Sequence, residues 1–195
     1  RESVTHFSDK PSLSIITPVY NTGELLRETW DSLSKQTYQG FEWIIVDDGS
    51  DETTKAIIRE IEDTWSDHVR VCFLEQGGAC RARNRGLEMA RAKYVKFLDA
   101  DDIQETNLLE IQNQLSIENP GAVIAAPVKQ VRKINGELCE IQRNVLKKIP
   151  DDLFAEHLTA PITSHSALLI PKSLVKDIGG YDENLLADQD GDFLQ

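Results

Sequence analysis

Phe41-Glu42-Trp43-Ile44-Ile45-Val46-Asp47-Asp48-Gly49-Ser50-Asp51 is the stretch whose reading decides the fold. Residues 41–46 are almost wholly apolar and show no in–out alternation. That is the pattern of a strand covered on both faces, as in a parallel sheet. The run then breaks into acidic and turn-forming residues. In an open α/β sheet such a break marks the carboxyl end of a strand, the edge at which ligands bind.

Working outward, the same alternation repeats. Leu13 to Val19 is an Ile-rich strand ending in Thr17-Pro18-Val19-Tyr20-Asn21. Asn21 with Glu24 three residues later resembles a capping box, and Leu25, Leu26, Thr29, Trp30 and Leu33 recur at helical spacing. Ile57, Ile61 and Trp65 mark the inner face of a second helix. Val69 to Leu74 is a third strand, Ala79 to Ala90 a third helix and Tyr94 to Leu98 a fourth strand. Thr106 caps a helix to about Ile117, which stops at Asn119-Pro120-Gly121. This order predicts a mainly parallel, Rossmann-like α/β sheet with helices on both faces.

After residue 121 the pattern changes. Val123 to Val131 reads as one long strand, and Asn135-Gly136 as a hairpin turn into Leu138 to Gln142. Ser166 to Ile170 is a further strand. Ser173 to Ile178 is a short helix ended by Gly179-Gly180. These segments predict an antiparallel C-terminal extension of the same sheet, without a second domain. Residues 1–10 are a polar, patternless lead-in, read as disordered, so the single domain covers 11–195.

With 195 residues the chain is long enough for one sizeable core. Its formal net charge is −12, which argues against a nucleic-acid partner, since that requires a basic surface. A diphosphate held by a divalent cation is compatible with it, because the cation needs carboxylates. Cys72, Cys80 and Cys139 are odd in number and lack CxxC spacing, so neither a disulfide framework nor a zinc site is indicated. A reducing cytoplasm is the simplest compartment. No apolar run of about 20 residues exists to span a membrane; peripheral membrane association stays open.

Each strand ends in candidate chemistry. The strand ends are Thr17 to Asn21, Asp47 to Asp51, Glu75-Gln76-Gly77-Gly78 and Asp99-Ala100-Asp101-Asp102. Asp99 and Asp101 stand two apart at a strand end, and in extended backbone their side chains project the same way. Crowded carboxylates repel unless a cation joins them, and Mg2+ or Mn2+ prefers such hard oxygens. An isolated Asp-x-Asp is more often a solvated turn; its place after a buried strand shifts the balance. Asp47-Asp48-Gly49 is either a turn or a hydrogen-bonding site for a base or ribose. Tyr20 is equally readable as a base-stacking ring and as a core-edge aromatic. Arg83, at the start of the third helix, is a candidate partner for a carboxylate or phosphate. No GxGxxG follows the first strand, and GxxxxGK[ST] and GxSxG are absent, which disfavours dinucleotide-binding oxidoreductases, P-loop NTPases and α/β-hydrolases.

Taken in order, Ser14 to Asn21, Trp43 to Asp51, Ala82-Arg83-Asn84-Arg85-Gly86-Leu87, Tyr94 to Asp102 and Gly179-Gly180-Tyr181-Asp182-Glu183 resemble the family 2 glycosyltransferases of GT-A fold. The resemblance implies an inverting transfer of sugar from a nucleotide-diphospho-sugar, usually UDP-linked, to a carbohydrate or glycoconjugate acceptor, as in polysaccharide synthesis. It divides the domain into a nucleotide-binding part, 11–121, and an acceptor-side part, 122–195. It places Pro18 and Tyr20 beside the base, Asp48 in hydrogen-bonding reach of it, and Asp99 by the ribose and metal shell. Asp101 becomes the ligand of Mn2+ or Mg2+. The late acidic stretch Asp188-Gln189-Asp190-Gly191-Asp192 supplies the general base at Asp190, with Asp188 as fallback, since Gln189 stands where the family usually has Glu. His165 is either a lining residue of the acceptor pocket or a satisfied loop histidine. The chain reads as ending inside this active segment. A nucleotide-binding fragment without transferase activity and a sugar nucleotidyltransferase remain the rival readings.

Overall fold

The computed structural model describes residues 10–134, 137–144 and 164–184. Six strands form one sheet, ordered β3-β2-β1-β4-β8-β5, where β1 is Leu13–Val19, β2 Phe41–Asp48, β3 Val69–Leu74, β4 Tyr94–Phe97, β5 Ile124–Ala125 and β8 Leu168–Pro171. The first four are parallel, with Leu13 opposite both Phe41 and Tyr94. The antiparallel β8 adds beside β4 and β5 beside β8. The predicted antiparallel extension is therefore present. β6 (Val128–Ile134) and β7 (Glu137–Asn144) pair as a separate two-stranded ribbon with Ile134 opposite Glu137; Asn135 and Gly136 lie outside the described residues.

The sheet is covered on both faces because successive side chains of a strand point to opposite sides. Ile15, Trp43 and Ile45 pack with Leu26 and Leu33 of α1 (Leu25–Ser34), Ile57, Ile58 and Ile61 of α2 (Glu52–Thr64), and Leu109 of α4 (Leu108–Glu118). Ile16, Ile44, Val46, Val95 and Phe97 pack with Ala82 and Leu87 of α3 (Ala79–Met89), Val175 of α5 (Lys172–Asp177), and Tyr181. α3 approaches β1 closely at Gly86, where a Cβ would lie 2.3 Å from Ile16 Cγ2.

Four local expectations are corrected. Asn21 does not cap α1: it has φ 52, and its amide oxygen accepts from Asp51 N–H at 2.8 Å, tying the first loop to the second. α1 begins at Leu25 without a side-chain cap. α4 begins at Leu108 with Asn107 before it, and again has no side-chain cap, so Thr106 does not serve. The long strand from Val123 is two strands, broken at Ala126-Pro127; proline supplies no donor for a ladder. Residues His165–Ala167 form a 3-10 turn, and the strand starts only at Leu168. Among the described residues no helix is long and apolar enough to cross a membrane.

Candidate active site

The carboxyl ends of β1, β2, β3 and β4 meet along one edge of the sheet. Asp51 caps α2 by accepting from Thr54 N–H at 2.8 Å. Ser50 Oγ accepts from Asn21 N–H at 3.0 Å, and Asp47, fully buried, accepts from Ser50 N–H at 3.3 Å. Asp48 is buried too, and its two oxygens accept from Gly77 N–H and Gly78 N–H, both at 2.8 Å. The second and third loops are thereby clamped. Gly49 (φ 79) leaves no room for a side chain, since a Cβ would lie 2.8 Å from Gln76 N. Tyr20, at the end of β1, is 48% exposed, and Pro18 is half-buried.

The fourth loop is a turn. β4 ends at Phe97, and Asp102 N–H donates to Asp99 C=O at 3.1 Å. The argument that Asp99 and Asp101 project together from extended backbone thus fails in its geometry. Their surroundings separate them instead. Asp99 Oδ1 accepts from Arg83 Nη2 at 3.0 Å and lies 3.2 Å from His165 Nε2, while Asp99 N–H donates to Ser166 Oγ at 3.2 Å. Burial works to raise the Asp99 pKa, but the hydrogen bond and charge of His165, with the Arg83 guanidinium, outweigh it and hold the carboxyl below its ordinary value. Asp101 is exposed. Asp102 is raised, first by burial and then by the charges of Asp99 and Asp101, despite a hydrogen bond from Ser166.

The structure therefore brings Arg83, Asp99 and His165 into one cluster. Arg83 is 5% and His165 0% exposed, so both stand beneath the carboxylates, with Arg83 Nη2 3.3 Å from His165 Nε2. The Arg83 guanidinium carbon lies 5.2 Å from the centre of the Tyr181 ring, which meets Phe97 edge-on at 5.1 Å. Asp188, Asp190 and Asp192 lie outside the described residues. Sequence reasoning gave no separate part to Ser166, to Asn84, or to the peptide groups of Gly77 and Gly78. Backbone donors leave no signature in residue type, whereas Asn84 sat in plain view within the Ala82 to Leu87 segment.

A mainly parallel sheet with this acidic edge and an antiparallel extension is the GT-A arrangement. The sequence matches the model of glycosyl transferase family 2 over residues 14–179, and the chain belongs to that family. The uncharacterized glycosyltransferase RP339 of Rickettsia prowazekii (strain Madrid E) is 32% identical over 189 residues, which cover 93% of this chain and 57% of the relative. Two solved structures share the fold. S. aureus TarS 1–349 in complex with UDP superposes with a TM-score of 0.73 at 24% identity, over 93% of this chain and 53% of that one. Mannosyltransferase PcManGT from Pyrobaculum calidifontis, in complex with GDP-Man and Mn2+, gives 0.68 at 22%, over 96% and 52%. The chain thus spans a little over half the length of each of these proteins.

Proposed function

We propose that this chain forms the donor side of an inverting glycosyltransferase that moves a sugar from a UDP-linked donor to a hydroxyl of a carbohydrate or glycoconjugate acceptor. The observation that carries the reading is the Asp99 cluster: a carboxylate held ionised at a strand end by buried Arg83 and His165, next to exposed Asp101. On this reading Tyr20 stacks on the base, Pro18 borders it, and Asp48, held by the peptide groups of Gly77 and Gly78, accepts a hydrogen bond from it.

The donor set fits Mn2+ or Mg2+. Among the described residues Arg83 and His165 both contact the Asp99 side chain at Oδ1, so Asp99 Oδ2 and the exposed Asp101 carboxylate would be the hard oxygens that hold it. Among the described residues no three His, Cys, Asp or Glu side chains gather into a cage. Mg2+ and Mn2+ commonly take one or two protein carboxylates and complete their shell with water and phosphate oxygens. A cation held there would neutralise charge on the departing diphosphate. Arg83 and His165 keep Asp99 ionised and oriented for it. Asp190 takes the proton of the attacking acceptor hydroxyl as general base, and a single displacement from the face opposite the nucleotide inverts the anomeric centre.

Calorimetry with UDP tests the donor side. Binding with Mn2+ is expected to weaken at least about tenfold after chelation or in Asp101→Ala, about 1.4 kcal/mol. Equal affinity in all three conditions would refute the metal assignment. Transfer from labelled UDP-sugars in the full-length protein separates a transferase from a domain that only binds nucleotide.

A further inference from the structure

The loop after β4 carries Asp101 and runs along α1. Three polar side chains of that helix take hold of its backbone. Thr29 Oγ1 donates to Ala100 C=O at 2.9 Å, against 3.5 Å to Leu25 C=O of its own helix. Ser32 Oγ accepts from Gln104 N–H at 3.1 Å while donating to Thr29 C=O at 2.8 Å. Gln36 Nε2 donates to Glu105 C=O at 2.8 Å, and its Oε1 accepts from Leu109 N–H at 3.1 Å, in the first turn of α4. Thr29 is 0%, Ser32 6% and Gln36 4% exposed. Positions i, i+3 and i+7 share one side of a helix, so these three form a polar row beside buried Leu26 and Leu33. Burying such groups is costly unless they are hydrogen-bonded, and here the loop supplies the partners.

Asp101 lies between the anchors at Ala100 and Gln104. Its own side chain makes no hydrogen bond or ion pair among the described residues and is exposed. The place of its carboxylate is therefore set by the backbone on either side. Ser166 Oγ, accepting from Asp99 N–H, and the bond from Asp102 N–H to Asp99 C=O hold the start of the turn; α1 holds the rest.

We infer that Thr29 and Ser32, with Gln36, are positioning residues that hold the Asp101 loop ready for a divalent cation. This rests on the proposed metal role of Asp101. Fixing a loop backbone costs conformational entropy, and a loop already fixed before the cation arrives spares binding that cost.

Thr29→Val keeps the shape of the side chain and removes its donor. Ser32→Ala removes the acceptor of Gln104 N–H and decides the matter if Thr29→Val does not fold. In calorimetry on the full-length protein, each is expected to weaken UDP binding with Mn2+ about tenfold. UDP binding in EDTA should stay within about twofold of the parent. Thr29→Ser retains the hydroxyl and should bind as the parent does. Placed on Asp101→Ala, Thr29→Val should weaken binding with Mn2+ by no more than about twofold further, since both act through one cation. Hydrogen exchange of the metal-free protein should quicken across 100–106 in Thr29→Val and Ser32→Ala and stay unchanged across β2 and β3. The inference is overturned if the folded variants bind UDP with Mn2+ as the parent does, or if affinity falls equally with and without Mn2+. It is overturned too if Thr29→Ser behaves like Thr29→Val, or if the loss adds in full to that of Asp101→Ala. Should Asp101→Ala itself bind UDP with Mn2+ as tightly as the parent, the metal role of Asp101 falls and the inference with it, whatever Thr29→Val does.

Discussion

Replacing Lys96 with methionine exchanges a buried amine for a thioether of similar length. Lys96 lies in β4, is 0% exposed, and its Nζ donates only to Gln112 Oε1, at 3.3 Å, among the described residues. Burial lowers its pKa from 10.5 to about 7, and the charge of Asp102 offsets only part of that. Below about pH 7 the amine is charged in both folded and unfolded states. The folded state then bears the full cost, about 5 kcal/mol at ~1.36 kcal/mol per pH unit. Between pH 7 and 10.5 the unfolded chain binds the extra proton, so this group's contribution to stability rises with pH. Above 10.5 the amine is neutral in both states and the cost is gone. Methionine removes the charge cost but leaves Gln112 Oε1 without its donor, at about 1–3 kcal/mol. Lys96→Met is therefore expected to stabilise the fold by about 2–4 kcal/mol at pH 6 to 7. Urea unfolding with linear extrapolation at pH 6, 7, 8, 9 and 9.5 reads it. The advantage should hold steady to pH 7, then shrink by about 1.4 kcal/mol per pH unit and change sign near about pH 8.5 to 10. An advantage independent of pH, or a loss of stability at pH 6, would refute the reasoning.

Three shorter expectations follow from the same contacts. UDP should displace a fluorescent uridine nucleotide more strongly than ADP or GDP if Tyr20 and Asp48 border the base as proposed; equal potency would refute the base reading. Gly86→Ala sets a methyl against Ile16 Cγ2 and should destabilise by about 1–3 kcal/mol in thermal unfolding without altering relative nucleotide preference. Glu42, 1% exposed, is raised by burial but lowered further by the Arg91 backbone N–H, Ser14 and the Arg91 guanidinium, for a net depression below its usual value of 4.5. Its contribution to stability is present above that value and lost as pH falls through the lower folded value, so Glu42→Gln should narrow the stability gap between pH 6 and pH 3 in urea titrations.

The sheet was legible because burial on both faces forces continuous apolar runs: β1 and β3 begin and end where the apolar pattern does, and β2 begins there and runs on two residues, through buried Asp47 and Asp48. Boundaries set by specific contacts were not. Asn21 has the residue type of a helix cap, yet it is recruited across the site by Asp51 N–H, and nothing local distinguishes the two uses. The break at Ala126-Pro127 was readable from the proline. In the site, Asp48, Arg83, Asp99 and Asp101 were visible as residue types at strand and helix ends. Their relationships were not, because Arg83, Asp99 and His165 are brought together from positions 66 and 82 residues apart in sequence. Lys96 gave no warning at all: one basic residue within an apolar strand reads as an edge or a solvated face until the sheet is closed over it.

On the proposed reading, the contrast between Asp99 and Asp101 explains how a chain carrying a net charge of −12 could present a site for a diphosphate. Repulsion falls off with screening over about 8–10 Å in physiological salt, so distant surface carboxylates matter little to a phosphate at the sheet edge. Local carboxylates matter greatly. Asp99 is neutralised from beneath by the buried guanidinium of Arg83, with His165 alongside. Asp101 has no such partner among the described residues and is exposed. The two aspartates of one motif thus have different tasks. Asp99 is a carboxylate whose charge the protein already compensates, and Asp101, on the proposed reading, is the charge that a bound cation would compensate. Removing Asp101 should therefore act mainly on the cation and diphosphate. Removing Arg83 would leave a desolvated carboxylate uncompensated and would unsettle Asp99 and the Tyr181 ring packed under the same guanidinium.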